Sequence, residues 1–572
     1  MESPVNSPKT VDLIAFCSHI LSASKPAEPE WDQAVFSPAS SPTGTPVKPK
    51  GRAMHRFERS LLFFFIISTV TLTVVGTANA EPGDTQQTTE WIQASLADLD
   101  ELFGATVNLL VQVLFAEFGT GVPLIVLILL LGGIYYSFFF GWLSLRGMRH
   151  SIDIIRGRYD NPDDPGEISH FQALTSALSA TVGLGNIAGV AIAVSLGGPG
   201  AIFWMIITAF FGMSSKLASC TLAIMYRKIH PDGHISGGPM YYLENGLGSI
   251  GLREFGRTLA VIFAFLTVGG SFGGGNMFQA NQTLEILGTI SPFFKTYNWV
   301  VGIVLAFLVA LVIIGGIRRI GSVTSRVVPV MCLLYVGTSM VIILSHITRV
   351  PELIGTIIDQ AFSPRALYGG FIGVMVTGIK RAAFSNEAGL GSAAFAHAAA
   401  KTDEPAREGM VAMIGPFIDT VVICLMTGLV CLITGVYADP EFLSLAQQGK
   451  PVGAAMTAAA FDTFIPGARY VLAVAVVLFA YSTMISWSYY GERAWEYLFG
   501  DGSTMLYRVI FVFFVFIGAV TALDNVLGFS DMMILGMAFP NILGGIILSP
   551  QIKATLDEYW DRLKSGQMKT YK

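Results

Sequence analysis

Two short stretches of this chain carry residue types and spacings that could do chemistry. TVGLGNIAG (181–189) contains Gly183-x-Gly185-x-x-Ala188, a near match to the glycine fingerprint that cradles a dinucleotide pyrophosphate at a helix N-terminus. FSNEAGLGS (384–392) sets a carboxylate, Glu387, among Phe384, Ser385, Asn386 and Gly389. Such runs either turn tightly around a phosphate in a soluble enzyme or free backbone groups from a helix. The dinucleotide reading needs a preceding strand and an acidic residue about 20 positions on, and residues 199–210, PGAIFWMIITAF, contain no acid. A third pattern, Gly269-x-Ser271-x-Gly273, matches a nucleophile elbow. It lies in an apolar stretch rather than a strand–turn–helix, and no aqueous Asp/His set follows it.

The elements around these stretches decide the matter. The 572 residues are 52% hydrophobic and 13% charged, against about 25% charged in a soluble domain. Mean hydropathy is +0.59. Runs of 18 or more apolar residues match the roughly 20 that cross a bilayer, so the chain reads as an all-α polytopic membrane protein. A net charge of −5 argues against a nucleic-acid partner. The cysteines show no metal or pairing spacing, and Cys220, Cys332, Cys424 and Cys431 fall within apolar spans as buried thiols.

Residues 1–53 are rich in Ser, Pro and Lys and read as a disordered or non-translated extension. Residues 54–80 have the three parts of a signal peptide: Arg56 and Arg59, an apolar stretch from Leu61 to Val75, and Ala78-Asn79-Ala80. The competing assignment is an uncleaved membrane helix. Residues 81–120 form an exported segment with amphipathic character. The membrane core runs from 121 to 550, and a cytoplasmic tail covers 551–572.

About eleven spans fit the core. A preliminary one covers 121–145, and ten more cover about 171–196, 199–226, 257–282, 298–317, 326–346, 366–399, 408–436, 466–490, 505–524 and 531–549. Ser169 and Gln172 make a capping box before span one, and Ser363-Pro364 opens span six. Basic residues concentrate in one set of loops and the tail, including Arg146, Arg149, Arg227, Lys228, Arg318, Arg319, Lys401 and Arg562. That side is cytoplasmic by the positive-inside rule. The mature N-terminus is then outside and the C-terminus cytoplasmic, as a cleaved leader would leave them, in a multi-pass protein of a bacterial inner membrane.

The ten spans divide five plus five, and an odd number per half inverts one half relative to the other. TVGLGNIAG then interrupts the first span of one half and FSNEAGLGS the first span of the other. Paired interruptions of this kind point to a transporter site at an inverted-repeat interface. Glycine weakens a helix by about 1 kcal/mol relative to alanine. The N–H and C=O groups that a break frees need a partner that lipid cannot supply. Half-helix N-termini suit a carboxylate, and freed carbonyls suit a cation.

The runs GEISHFQALTSALSATVGLGNIAGVAIAVSLGGPGAIFWM, GGPMYYLE, FSNEAGLGSAAFAHAAA and STMISWSYYGERAWEYLFG closely resemble the alanine or glycine:cation symporter family over about 121–550. The resemblance implies a leucine-transporter-type fold with one extra N-terminal helix. It also implies sodium-coupled uptake of alanine or glycine by alternating access. No cofactor beyond the coupling ion, no nucleic acid and no obligatory protein partner is expected, and membrane lipid surrounds the chain. A proton in place of sodium is the alternative coupling. A channel would not need paired breaks, and an intramembrane enzyme would need a nucleophile–base pair that the sequence does not offer.

Within that frame Thr181, Gly183, Leu184, Gly185 and Asn186 in span one, and Phe384, Ser385, Asn386 and Gly389 in span six, are candidate substrate contacts. Gln279 in span three is either a substrate contact, as the resemblance implies, or an interhelical hydrogen-bonding group. Trp487 and Phe384 would close a pocket sized for a methyl or hydrogen side chain, although a Trp there could equally be packing. Ser482, Thr483 and Ser486 beside a freed carbonyl such as that of Val182 would suit sodium, unless the hydroxyls satisfy their own helix carbonyls. Lys216 and Asp419, at similar depth in equivalent spans, are expected to pair as a structural or gating contact. Glu387 either hydrogen-bonds within the break or helps bind the ion. Lys380 and Arg381 have no assigned partner, and His397 reads as an interface residue.

Overall fold

The computed structural model describes residues 115–117, 119, 121–231, 235–363 and 370–571. The expectations for residues 1–53 and 54–80, for most of 81–120, and for Pro364 lie outside the described residues. The described chain is almost wholly helical. Its one sheet is a small hairpin that pairs Lys228 with Ser236 and Ile229 with Ile235.

Among the described residues seven helices are long and apolar enough to cross a membrane, and a bent pair makes an eighth. Two shorter apolar helices are α1 (Leu124–Phe139) and Asn298–Ile313. At 1.5 Å per residue a helix of this length reaches about 24 Å, short of the roughly 30 Å hydrocarbon core. Full-length apolar helices alone therefore fall short of the expected count of about eleven. The helix that opens span six, Gly370–Asn386, is also short and carries Lys380 and Arg381.

The bent pair is span one. Helix α2 (His170–Thr181) starts at the expected capping box, where Ser169 Oγ accepts from the Gln172 amide and Gln172 Oε1 accepts from the Ser169 amide. It ends where TVGLG begins. After a 56° bend the chain resumes as a π-helical turn, Gly185–Gly189, and then α3 (Val190–Gly197). Span two is α4 (Gly200–Met225). Span three is α5 (Arg253–Phe272), broken by a π-helical turn over Gly273–Met277 before α6 (Phe278–Ile290).

Span six is interrupted in the same manner. Helix α7 (Gly370–Asn386) stops at the second motif, and a short helical turn, α8 (Ala394–His397), follows it. Gly389 and Gly391 have φ of +82° and +89°, a region that glycine enters without a steric penalty. Glu387 takes up φ of +56° despite its side chain. The two interrupted spans lie head to tail against each other. The half of span one before its break packs on the half of span six after its break, and the other two halves pack together.

Span seven runs from α9 (Pro405–Ala412) through a π-helical stretch, Phe417–Cys424, to α10 (Leu425–Thr434). Span eight is the 32-residue α11 (Ala468–Phe499). Helices α12 (Thr504–Val520), α13 (Leu523–Gly536) and α14 (Ala538–Ile547) complete the bundle, and α15 (Ser549–Lys564) follows them. The side chains around the two breaks are almost all buried, those of Asn186, Asn386 and Asp419 completely.

Candidate functional site between the two helix breaks

The first break is held by side chains that replace the lost helical bonds. The Gly183 amide donates to Asn186 Oδ1 at 2.8 Å, and the Leu184 amide donates to Gln279 Oε1 at 3.3 Å. Gln279 Nε2 in turn donates to the Gly274 carbonyl at 2.8 Å, so Gln279 ties the break in span one to the break in span three. Carbonyls released beyond the break are also taken: Thr427 donates to the Asn186 carbonyl at 2.7 Å and Thr457 to that of Ile187 at 3.4 Å. Among the described residues the Gly185 amide has no such partner.

Asp419 joins this break to the second one. Its carboxylate accepts from Asn186 Nδ2 at 2.7 Å, from Ser385 Oγ at 2.9 Å and from Thr420 Oγ1 at 2.8 Å. Asn386 Nδ2 donates to Thr420 Oγ1 at 2.9 Å, and Asn386 Oδ1 accepts from the Ala388 amide. The expected Lys216–Asp419 ion pair does not form. Lys216 Nζ donates instead to the Asn386 backbone carbonyl at 2.9 Å. The reason is local: the break leaves that carbonyl without a helical donor, while the Asp419 oxygens are already occupied by an amide and two hydroxyls.

Glu387 points the other way. Its carboxylate accepts from Trp487 Nε1 at 3.0 Å and from Ser392 Oγ. It lines a cavity together with Ala180, Thr181, Gly183, Gly185, Gly274, Gln279, Phe384, Thr483, Trp487 and Ile534. The free space is about 10 Å³, room for one water. Its walls come so close because three glycines permit it. A Cβ on Gly183 would lie 2.4 Å from Thr483 Oγ1, one on Gly274 2.2 Å from Ile534, and one on Gly275 2.4 Å from Trp487. Phe384 is further fixed by an edge-on contact with Phe278 at 5.0 Å between ring centres.

Of the candidate contacts, Thr181, Gly183, Gly185, Gln279, Phe384 and Trp487 are at the cavity wall. Leu184, Asn186, Ser385, Asn386 and Gly389 stand behind it; Gly389 presents its carbonyl to Asn541 Nδ2 at 2.7 Å. The candidate hydroxyls of span eight divide. Ser482 donates to the Phe479 carbonyl and the Met331 sulfur, and Ser486 shares a 2.7 Å bond with Ser179. Thr483 Oγ1 is buried with no hydrogen-bond partner. Ala180, Gly274 and Ile534 at the wall were not anticipated from the sequence, and Glu387 was expected only within the break or at the ion. The run of three glycines at 273–275 is the signal that could have pointed to Gly274.

A profile of the sodium:alanine symporter family matches residues 105–572. The chain belongs to this family. It is 44% identical over 425 residues to the sodium/alanine symporter AgcS of Methanococcus maripaludis, covering 74% of this chain and 91% of that one. It is 32% identical over 447 residues to the probable sodium/glutamine symporter GlnT of Bacillus subtilis, covering 78% and 89%. Among solved structures, a crystal structure of MhsT in complex with L-phenylalanine superposes with a TM-score of 0.48 at 13% identity, over 68% of this chain and 92% of that one. Family membership makes the protein a multi-pass membrane symporter of the sodium:alanine family, a transporter and not an enzyme. Ser271 of the apparent nucleophile elbow accordingly serves packing: its hydroxyl donates to the Val268 carbonyl and meets Tyr507 at 2.9 Å.

In this symporter the surroundings of the cavity are braced on both sides. On the side of α2 and α8, Arg227 donates to the carbonyls of Pro165, Ala398, Ala400 and Thr402 at 2.6–2.9 Å. There Glu408 accepts from His170 and from His397, the latter at 2.5 Å. His397 therefore does sit at an interface, between spans six and seven. On the side of α7, Arg381 pairs with Asp531, and Lys380 stands 3.8 Å from the same carboxylate. The Arg381 guanidinium lies over Phe384, 5.1 Å from its ring centre.

Proposed function

We propose that this chain is a secondary symporter that takes up alanine or glycine with sodium by alternating access. The observation that carries the reading is the cavity between the two breaks, whose wall combines exposed backbone, an unpartnered hydroxyl and a small apolar face. Phe384, Trp487 and Ile534 give the wall an apolar face that suits a methyl or hydrogen side chain, and the cavity must widen from its present one-water volume to admit either substrate. The Gly185 amide, at the start of a half-helix, suits the substrate carboxylate. Thr483 Oγ1 and the carbonyl of Val182 suit sodium, a hard cation that takes oxygen ligands. Ser482 and Ser486 would have to leave their present partners to join it.

Proton coupling is the second reading, because a proton on the buried Glu387 carboxylate at the cavity wall would neutralise it as a bound sodium ion would.

The head-to-tail packing of the broken spans supports a five-plus-five inverted arrangement with α1 as the extra helix, for about eleven spans in all. Rocking of one bundle about the breaks then exposes the cavity to either side in turn. The distribution of basic residues supports a cytoplasmic C-terminus and an exported mature N-terminus. Uptake of labelled alanine and glycine into proteoliposomes tests the function, with an inward sodium gradient, an inward proton gradient or neither. Uptake driven by sodium alone is expected. Equal uptake in all three conditions refutes coupling, and uptake driven only by protons selects the second reading.

A further inference from the structure

We propose that the Glu387 carboxylate is the group that receives the ammonium of the transported amino acid, so that Glu387 makes the carrier specific for amines. This deepens the function proposed above and rests on it.

Among the described residues at the cavity wall, Glu387 is the one charged side chain; the other polar side chains there are the neutral Thr181, Gln279 and Thr483. A zwitterion brings an ammonium and a carboxylate into a site closed to bulk water, and each needs a partner that replaces its hydration. The Gly185 amide and the helical turn behind it provide for the carboxylate. Neutral oxygens alone would leave the ammonium poorly compensated, whereas a carboxylate within reach makes a charge-assisted bond.

Glu387 also has the capacity to accept. A carboxylate offers about four lone-pair sites, and two are used, one by Trp487 Nε1 at 3.0 Å and one by Ser392 Oγ. Those bonds fix the plane of the group without exhausting it. Lys216 Nζ directs one bond to the Asn386 carbonyl at 2.9 Å and, among the described residues, forms no ion pair with the Glu387 carboxylate.

The backbone is arranged to put the side chain there. Glu387 is one of two non-glycine residues with positive φ among the described residues, at +56°. That conformation costs a residue with a Cβ about 1 kcal/mol or more. The adjoining Asn386 side chain stabilises it by accepting from the Ala388 amide at 2.9 Å and donating to Thr420. Glycine would occupy the turn without that cost, so the position bears strain and retains a carboxylate facing the cavity.

The test combines one variant with substrate analogues in sodium-driven proteoliposome uptake. Glu387→Gln keeps the size of the side chain and an oxygen for the Trp487 indole. Its KM for alanine should rise about tenfold or more, as expected for loss of a bond between charged groups, while the sodium concentration at half-maximal uptake stays unchanged. In the wild-type protein, lactate and propionate, which lack the ammonium, should fail to compete with labelled alanine at concentrations where unlabelled alanine competes fully. An unchanged alanine KM in Glu387→Gln overturns the inference. So does a shift confined to the sodium dependence, which would make Glu387 an ion ligand. Should Glu387→Gln not fold, Glu387→Asp, which keeps the charge but draws it back by one methylene, takes its place. A raised alanine KM with unchanged sodium dependence then upholds the inference, and an unchanged KM overturns it, as does competition by lactate equal to that by alanine in the wild type. Absence of sodium-driven alanine uptake by the wild type overturns the function reading itself, and this inference falls with it.

Discussion

Asn186 donates its side-chain amide to the Asp419 carboxylate at 2.7 Å, and Ser385 donates to the same carboxylate at 2.9 Å. One residue comes from each interrupted span, so a single acidic side chain on span seven sets the separation of the two breaks. Because Asn186 Oδ1 also holds the Gly183 amide, a shift of Asp419 is transmitted directly to the cavity wall. The buried network is complete as it stands, which makes it rigid and makes partial loss expensive.

Asp419→Ala should therefore cost stability and abolish transport together. Removing the carboxylate takes the oxygen acceptor from the Ser385 and Thr420 hydroxyls, at about 1–3 kcal/mol for each buried group left without a good partner, while Asn186 Nδ2 keeps the Asp419 backbone carbonyl at 3.1 Å. Asp419→Asn keeps the shape and should retain most of the melting temperature of the purified protein. It removes the charge, however, and sodium-driven uptake should fall about tenfold or more, the scale of a charge-assisted bond. An Asp419→Ala protein as stable and as active as wild type would remove Asp419 from this role.

The glycines of span three give a steric prediction. A Cβ at Gly275 would sit 2.4 Å from Trp487 Cγ, and both atoms belong to crowded, buried groups. Gly275→Ala should lose about 1–3 kcal/mol through overpacking and should displace the indole from Glu387. Gly189→Ala is the matched control, since the nearest atom to its added Cβ is 3.9 Å away. Uptake assays should find Gly275→Ala inactive and Gly189→Ala near wild type; equal activity of the two would refute the packing account.

Arg381 and Asp531 form a buried ion pair beside the cavity. Leaving a buried charge without its partner costs about 3–5 kcal/mol. Asp531→Leu takes the carboxylate from both Arg381 and Lys380, whereas Arg381→Met leaves Asp531 with Lys380 at 3.8 Å, so Asp531→Leu should melt well below Arg381→Met. The guanidinium also covers Phe384 at 5.1 Å, so even the more stable Arg381→Met should transport more slowly. If the two variants melt together, Asp531 is not the shared partner of the two cations.

Much of this site was legible in the sequence because it depends on local pattern. Ser169 and Gln172 are three residues apart, and their capping box follows from spacing alone. The glycine-rich interruptions announced both breaks and brought Thr181, Gly183, Gly185 and Phe384 into view. Gln279 came instead from a polar group in an apolar span together with the family resemblance, and Trp487 from its place beside the span-eight hydroxyls. Partners across the fold were not legible. Lys216 and Asp419 looked matched by charge and depth, yet depth along a helix does not give the direction of a side chain. The carbonyl freed at Asn386 competes for the lysine, and its availability depends on where the break falls to within one residue. The Arg381–Asp531 pair and the two histidines on Glu408 join segments whose approach no periodicity encodes. Arg227 read only as one of many basic loop residues; that it gathers four carbonyls follows from how the loops meet.

The C-terminal helix supplies a pH prediction outside the membrane. His150, on the helix Met148–Ile155, shares a 2.8 Å bond with the Tyr559 hydroxyl of α15. Burial pushes the imidazole down to about 4, from an ordinary 6.5, with Asp153 opposing the shift and Arg407 and Arg158 reinforcing it. A histidine whose folded value is depressed is neutral when docked and takes up its proton on release. Between 6.5 and about 4 the released state binds more protons, so the docked state loses stability as pH falls through that window and keeps it above 6.5. Hydrogen exchange in α15 should accelerate progressively from pH 6.5 toward 4.5 after correction for intrinsic rates. His150→Phe should flatten that dependence while leaving the Arg562–Glu404 pair, bound through two 2.7 Å bonds, in place. Equal acceleration in wild type and His150→Phe would assign the pH response to other groups, since the variant has no imidazole at 150 to protonate.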